Sequence, residues 1–273
     1  MADLTNLFDL SGRAALITGG AGIIGARVCH GLAAHGAKVA IADINLDAAQ
    51  TVAAEVAEIY GAQTLAIKCD VSDPVAVQEM VAETVANLGS LDILHNNAAA
   101  KAKDLKAFFA PTEEYSLDVW REIMSVNVDG LFLVAQAAGK QMIAQGNGGS
   151  IIQTASIYGV VGPDSRIYEG SQYMGVEINT PPVYAASKGA VLALSKYLAT
   201  QWAEHKIRVN TLIPGGVESG QNETFKANYA HRVPLGRMAE RDEMVGLIIY
   251  LSSDASTYVT GQAIAIDGGW TAW

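Results

Sequence analysis

Apolar and polar residues along this chain fall into repeating blocks. Short apolar runs occupy 13–18 (RAALIT), 37–43 (AKVAIAD), 64–70 (TLAIKCD) and 91–97 (LDILHNN). Longer stretches of helical character lie between them, near 23–35, over 46–60 and over 74–88. The runs predict strands buried on both faces, and the stretches between predict covering helices. Pro74 opens the third of these, as suits a first helical turn. The pattern continues with a long helix over 116–145, a strand over 150–156 and a polar segment containing Gly and Pro over 159–182. A helix over 183–204, a strand over 207–213, a less regular segment over 214–239, a helix near 240–252 and a closing strand over 262–269 complete it. Strand–helix alternation of this kind predicts an α/β fold around a parallel sheet. No internal repeat or linker is visible. One domain over 1–273 is expected, with an insertion at about 160–182 and a lid-like segment at about 217–239.

Composition narrows the partners. Half the residues are hydrophobic, enough for a sizeable core, and the formal charge is 18 − 28 = −10. That balance argues against nucleic acid, whose phosphates need clustered Lys and Arg. It argues mildly against an anionic membrane surface. A small molecule or another subunit is the expected partner. The two cysteines, Cys29 and Cys69, suit buried thiols in a reducing compartment, and no cluster of His and Cys points to a metal. The N-terminal stretch MADLTNLFDLSGR lacks a basic region followed by an apolar one, and no run of 18 apolar residues suggests a membrane span. A cytoplasmic protein is expected.

Candidate chemistry begins at TGGAGIIG, 18–25, which joins the first strand to the first helix. Glycines there let backbone approach a pyrophosphate, and the helix N-terminus favours its charge. Asp43 ends the second strand, 24 residues after Gly19. An acid in that place accepts hydrogen bonds from ribose hydroxyls and repels a 2′-phosphate. The turn holds no Arg or Lys for such a phosphate, which favours NAD over NADP. Asp43 also fits a helix N-cap or a solvated turn.

Tyr184 and Lys188 stand four apart at the head of the helix over 183–204, so they share a face. A cation about 4 Å from a phenol attracts its ionised form by about 4 kcal/mol at an effective dielectric near 20. That corresponds to roughly three pKa units. The tyrosine would then exchange a proton with an alcohol or carbonyl near neutral pH.

The motifs in order are TGGAGIIG, Asp43, CDV (69–71), NNAA (96–99), SVNVDG (125–130), TASIYG (154–159), YAASK (184–188), PGGVES (214–219) and YVTGQAIAIDGG (258–269). With them the chain resembles the short-chain dehydrogenase/reductase family over nearly its whole length. The resemblance implies a Rossmann-type, doubly wound, seven-stranded parallel sheet with helices on both faces. It implies Tyr184 as proton donor and acceptor, and Lys188 to lower that pKa and hold the nicotinamide ribose. Ser156 would position the substrate oxygen, and Asn127 would support a water relay behind Lys188. Around the cofactor, expected to be NAD, it implies Gly19, Gly22, Ile24, Gly25, Asp43 and Ile44. Asp70 and Val71 follow at the adenine, with Asn97, Ala98, Ala99 and Thr154 lining the cofactor. Pro214, Gly215, Val217 and Ser219 would flank the nicotinamide. A homotetramer or dimer is common in that family.

Two departures stand out. Glycines fall at 19, 22 and 25, a spacing like that of the sugar-nucleotide-modifying branch, whereas the C-terminal motifs match the shorter branch. Ser156 and Tyr184 are 28 apart, about twice the family's usual spacing. The added segment, PDSRIYEGSQYMGVEINTPP, reads either as a surface or subunit-contact loop or as a wall of the substrate pocket. Its Arg166, Tyr168, Glu169, Gln172 and Tyr173 suit a hydroxyl-rich or anionic substrate, with Arg166 nominated beside Ser156 and Tyr184 as a contact. The favoured activity is hydride transfer between NAD and a secondary alcohol or ketone in a sugar, sugar acid or polyol. An NADP-dependent ketoacyl-type reductase, a sugar-nucleotide epimerase and a non-enzymatic nucleotide sensor or scaffold are the alternatives.

Overall fold

The computed structural model describes residues 4–273; Met1–Asp3, where the stretch read for a leader begins, lie outside it. Seven parallel strands form one sheet. In chain order they are β1 (Ala14–Thr18), β2 (Lys38–Asp43), β3 (Thr64–Lys68), β4 (Ile93–Asn96), β5 (Gly149–Thr154), β8 (Ile207–Pro214) and β9 (Ala263–Ile266). A separate antiparallel pair, β6 (Gln172–Tyr173) and β7 (Val176–Glu177), lies in the insertion. In space the main order is β3-β2-β1-β4-β5-β8-β9. Winding therefore reverses between β1 and β4, and ligands of such sheets bind outside the strand ends at that reversal.

Alternation along each strand sends side chains to two cores. Leu16, Leu94, Ile151 and Val209 pack under α3 (Pro74–Leu88), α6 (Leu131–Gln145) and α7 (Pro182–Gln201). Ile17, Ile93, Ile152 and Leu212 pack under α1 (Ile23–Ala34), α2 (Leu46–Tyr60) and α9 (Val245–Ser252). Local sequence sets the helix ends. Asn45 caps α2 by accepting from Ala48 N at 3.2 Å, and Asp73 caps α3 with Pro74 behind it. Gly61 and Gly89 end these two helices at φ of 63° and 90°, a conformation that a side chain disfavours.

Three expectations change in detail. The long helix over 116–145 is α5 (Leu117–Met124) and α6 joined by a π-turn at Ser125–Gly130. A π-turn inserts a residue into the helical ladder and leaves no periodicity of its own to read. The insertion is ordered: a 3-10 turn at Ser165–Tyr168 precedes the β6–β7 hairpin, whose Met174 and Gly175 both have positive φ. The irregular segment at 217–239 contains α8 (Glu223–Arg232), and its Phe225 and Tyr229 join a third core with Ile167 and Trp270. A short helix, α4 (Leu105–Phe108), completes the set and leads into a fourth core beneath α5.

His95 is fully buried on β4, where its Nε2 lies 2.9 Å from Thr154 Oγ1 and its Nδ1 has no partner among the described residues. Burial pulls its pKa down from 6.5 to about 3. Between those values the unfolded chain binds the proton and the native one does not, so stability falls as pH drops from 6.5 towards 3. The loss runs to about 1.4 kcal/mol per pH unit within the window. His95→Leu should lower the melting temperature at pH 7, because Thr154 loses a partner. It should also flatten the decline between pH 6.5 and 4, measured by thermal melts across that range.

Candidate active site

The Gly-rich turn leaves β1 under tight steric control. A Cβ on Gly25 would sit 2.2 Å from the Gly19 carbonyl oxygen, and one on Gly19 would sit 3.0 Å from Ala98 Cα. Gly19 also holds φ of 61°. Thr18 braces the neighbouring loop: its Oγ1 accepts from Asn97 N at 3.0 Å and Ala98 N at 3.2 Å and donates to Asn96 Oδ1 at 3.1 Å. Thr18 and Asn96 were not nominated from sequence, although both stand inside quoted motifs. Gly22 precedes α1 without a side-chain cap, so first-turn N–H groups are available to an anion.

Asp43 stands at the end of β2 and accepts from Ala21 N at 3.1 Å and Asn45 N at 3.0 Å, one bond on each oxygen. A carboxylate has about four acceptor directions, so two remain for hydroxyls. Ile44 beside it is 65% exposed. Asp70 Oδ1 is engaged by Ser72 N and Ser72 Oγ, at 2.9 and 2.6 Å, and Val71 is buried.

The chemistry gathers where β5 ends. Ser156 is buried and opens a 3-10 turn, Ile157–Gly159, by accepting from Tyr158 N at 3.3 Å. Gly159 lets this turn rest on α7; a Cβ there would lie 2.7 Å from the Lys188 carbonyl. Lys188 is buried, donates to the Thr154 carbonyl at 2.9 Å, and holds Nζ 5.7 Å from the Tyr184 ring centre. The Thr154 hydroxyl is spent on His95 and its carbonyl on Lys188, although the residue still lines the cleft. Asn127, in the π-turn, accepts from Ala100 N at 2.9 Å and donates to Ser187 Oγ at 3.3 Å, tying the β4 loop to α7.

The electrostatics differ from the sequence expectation. Burial raises the Tyr184 pKa, and a hydrogen bond with Ser156 only partly offsets that. Burial also lowers Lys188 to about 8. Each shift favours the neutral form, because burial takes both groups away from water. The protein alone therefore holds Tyr184 as a protonated phenol.

Ser156, Tyr184 and Lys188 line a cleft of about 480 Å³ together with Ile23, Ile24, Asn97, Ala99, Pro214, Gly215, Val217 and Ser219. The insertion contributes Tyr168, Asn179 and Thr180, and Lys101, Phe108, Phe109 and Tyr158 complete the wall. No carboxylate among the described residues lines it. Arg166 does not reach it: the side chain is 76% exposed and bonds Asp164 at 2.8 and 2.7 Å. Tyr158 could have been singled out from its place two residues after Ser156. Lys101 and Asn179 carry no sequence signal. A larger cavity, about 560 Å³, opens beside Arg13, Asp92 and Arg208. Its arginines serve the fold by bonding the carbonyls of Ser252 and Leu251, each at 2.8 Å.

The family model described as enoyl-(acyl carrier protein) reductase matches residues 19–271. The chain belongs to the short-chain dehydrogenase/reductase family. A 2,5-dichloro-2,5-cyclohexadiene-1,4-diol dehydrogenase of Sphingobium indicum is 36% identical, over 97% of this chain and 99% of that one. A D-threitol dehydrogenase of Mycolicibacterium smegmatis is 34% identical, over 97% and 95%. Among solved structures, a gluconate 5-dehydrogenase from Burkholderia cenocepacia, in complex with NADP and tartrate, superposes with a TM-score of 0.84. It is 35% identical over 98% of both chains. The chemistry is that of an oxidoreductase acting on alcohol groups with a nicotinamide cofactor.

The residues fit such a cofactor. The glycine cradle leaves backbone bare for a pyrophosphate, Asp43 keeps free acceptor capacity, and Lys188 is a buried amine with donor capacity to spare. Gly25→Ala should force the turn open against the Gly19 carbonyl. Nucleotide affinity should fall at least tenfold by equilibrium titration, with a lower melting temperature.

Proposed function

We propose that the protein is an NAD-dependent dehydrogenase that oxidises a secondary alcohol in a sugar, sugar acid or polyol. The observation that carries this reading is the meeting of Ser156, Tyr184 and Lys188 with Ile23 and Ile24 of the Gly-rich turn in one cleft, with no carboxylate among the described residues that line it. Bound nicotinamide supplies the acceptor for hydride. Ser156 orients the reacting oxygen by hydrogen bonding. Tyr184 takes the hydroxyl proton during oxidation and returns it to the carbonyl during reduction. Lys188 passes protons onward, since its pKa near 8 lets it exchange close to neutral pH.

Asp43 supports NAD, through ribose acceptors and repulsion of a 2′-phosphate. The Burkholderia enzyme's complex with NADP makes this the finer point to test. A hydroxyl-rich substrate is supported by the polar wall of Tyr158, Tyr168, Asn179 and Thr180 and by the relatives named for a diol, threitol and gluconate. Lys101 adds a cation at the same wall, which accommodates a sugar acid.

NADH formation should be followed with polyols, sugars, aldonates, simple secondary alcohols and hydroxyacyl esters, with NAD and NADP compared. Turnover with NAD and a hydroxyl-rich compound is expected, and activity confined to hydroxyacyl esters with NADP would overturn the reading. Tyr184→Phe should lower kcat by about 10²- to 10⁴-fold. Because the base form of Tyr184 is scarce at neutral pH, oxidation by the parent should accelerate as pH rises and carbonyl reduction should slow. Asp43→Ser should cut the NAD-to-NADP preference in kcat/KM by about tenfold or more, equivalent to about 1.4 kcal/mol.

A further inference from the structure

Three hydroxyls on the cleft wall form a chain whose direction is set by geometry. Tyr168 Oη donates to Tyr158 Oη at 3.2 Å and lies 2.6 Å from Thr180 Oγ1. A phenol has one proton. That of Tyr168 is committed to Tyr158, so Thr180 is the donor in the shorter bond. The chain runs Thr180 to Tyr168 to Tyr158, and the Tyr158 proton is the one left over. Each bond polarises the next, which strengthens the terminal O–H as a donor. Burial raises the pKa of both phenols, so the chain keeps its protons at physiological pH.

The phenols are held in place. Tyr158 packs edge-on to Trp270, with ring centres 6.4 Å apart, and Tyr168 packs against Phe225 at 5.6 Å. Beside them Asn179 donates to the Phe109 carbonyl at 2.8 Å, which fixes its amide orientation and leaves Oδ1 buried without a partner among the described residues. That oxygen has essentially no accessible surface and does not meet a ligand. The wall thus offers one spare donor, the Tyr158 hydroxyl, which a substrate oxygen matches and a methyl group does not.

We propose that Tyr158 is the specificity-determining donor to a second hydroxyl of the substrate, on the carbon next to the one that reacts. The inference rests on the dehydrogenase reading above and narrows its substrate to a vicinal diol or its α-hydroxy ketone. The insertion acts as a specificity element through Tyr168 and Thr180, not through Arg166.

The test compares kcat/KM for butane-2,3-diol and butan-2-ol, with NAD, in the parent enzyme and in Tyr158→Phe and Thr180→Val. The parent should favour the diol. Tyr158→Phe should reduce the diol-to-monoalcohol ratio by about 10- to 100-fold, as expected when a site loses its partner for a substrate hydroxyl. Thr180→Val should reduce it by a smaller factor. A folding defect would lower both substrates together and leave the ratio unmoved, and an unmoved ratio in a variant that melts like the parent overturns the inference. So does a parent enzyme that oxidises other alcohols but shows no preference for the diol. Silence of the parent across every alcohol overturns the dehydrogenase reading itself, a separate result.

Discussion

A lysine buried without a carboxylate beside it is the constraint on which the cleft depends. Lys188 has its Nζ bonded to the Thr154 carbonyl, and no ion pair neutralises it among the described residues. A buried ammonium survives only with well-placed partners or with a lowered pKa. Here both apply. The bond to Thr154 joins α7 to β5, and the Thr154 hydroxyl passes the connection to His95 on β4. The backbone approach at Gly159 brings the two segments close enough for this to happen. Tyr184 and Ser156 inherit their positions from the same contact. The lowered lysine pKa and raised tyrosine pKa are two results of one exclusion of water.

The insertion end of the cleft is built on a different principle. It lies outside the parallel sheet and is assembled from three segments distant in sequence: the insertion, α8 and the C-terminal tail. Their aromatic rings stack into one cluster, running from Tyr168 to Phe225, Tyr229 and Trp270. Arg232 covers Trp270 and Trp273, at 5.0 and 5.8 Å from the ring centres. Trp270 is buried within the subunit while Trp273 remains exposed. The segment first read as a lid is therefore packed onto the insertion. A rigid aromatic layer behind two phenols gives a polar wall a fixed geometry, which selective hydrogen bonding requires.

Much of the fold was legible because parallel strands buried on both faces leave continuous apolar runs. Seven of the helices, α1 to α3, α5 to α7 and α9, follow six stretches whose position, though not whose exact ends, the chain displays. The π-turn was not legible, since it adds one residue to a ladder whose side-chain pattern is set by its neighbours. Legibility of the candidate site was uneven for a similar reason. Gly19, Gly25, Asp43 and Ser156 stand in local motifs that follow strands, Tyr184 and Lys188 stand in one at the head of α7, and the fold brings the last two together with Ser156 in the cleft. Arg166 misled because charge and sequence position do not reveal direction: Asp164, two residues before it, holds the guanidinium at the surface.

By itself the sequence determined the strand–helix alternation, the glycine turn, the acid at the end of β2 and the tyrosine–lysine spacing, because each is a relation between residues close in the chain. Only the tertiary structure decided the direction of the pKa shifts, the cavity wall and its chain of hydroxyls. Those depend on burial and on contacts between distant segments: Lys188 with Thr154, Tyr168 with Tyr158, Asn179 with Phe109. Desolvation and hydrogen-bond direction are properties of packed space, and no local spacing in the chain encodes them.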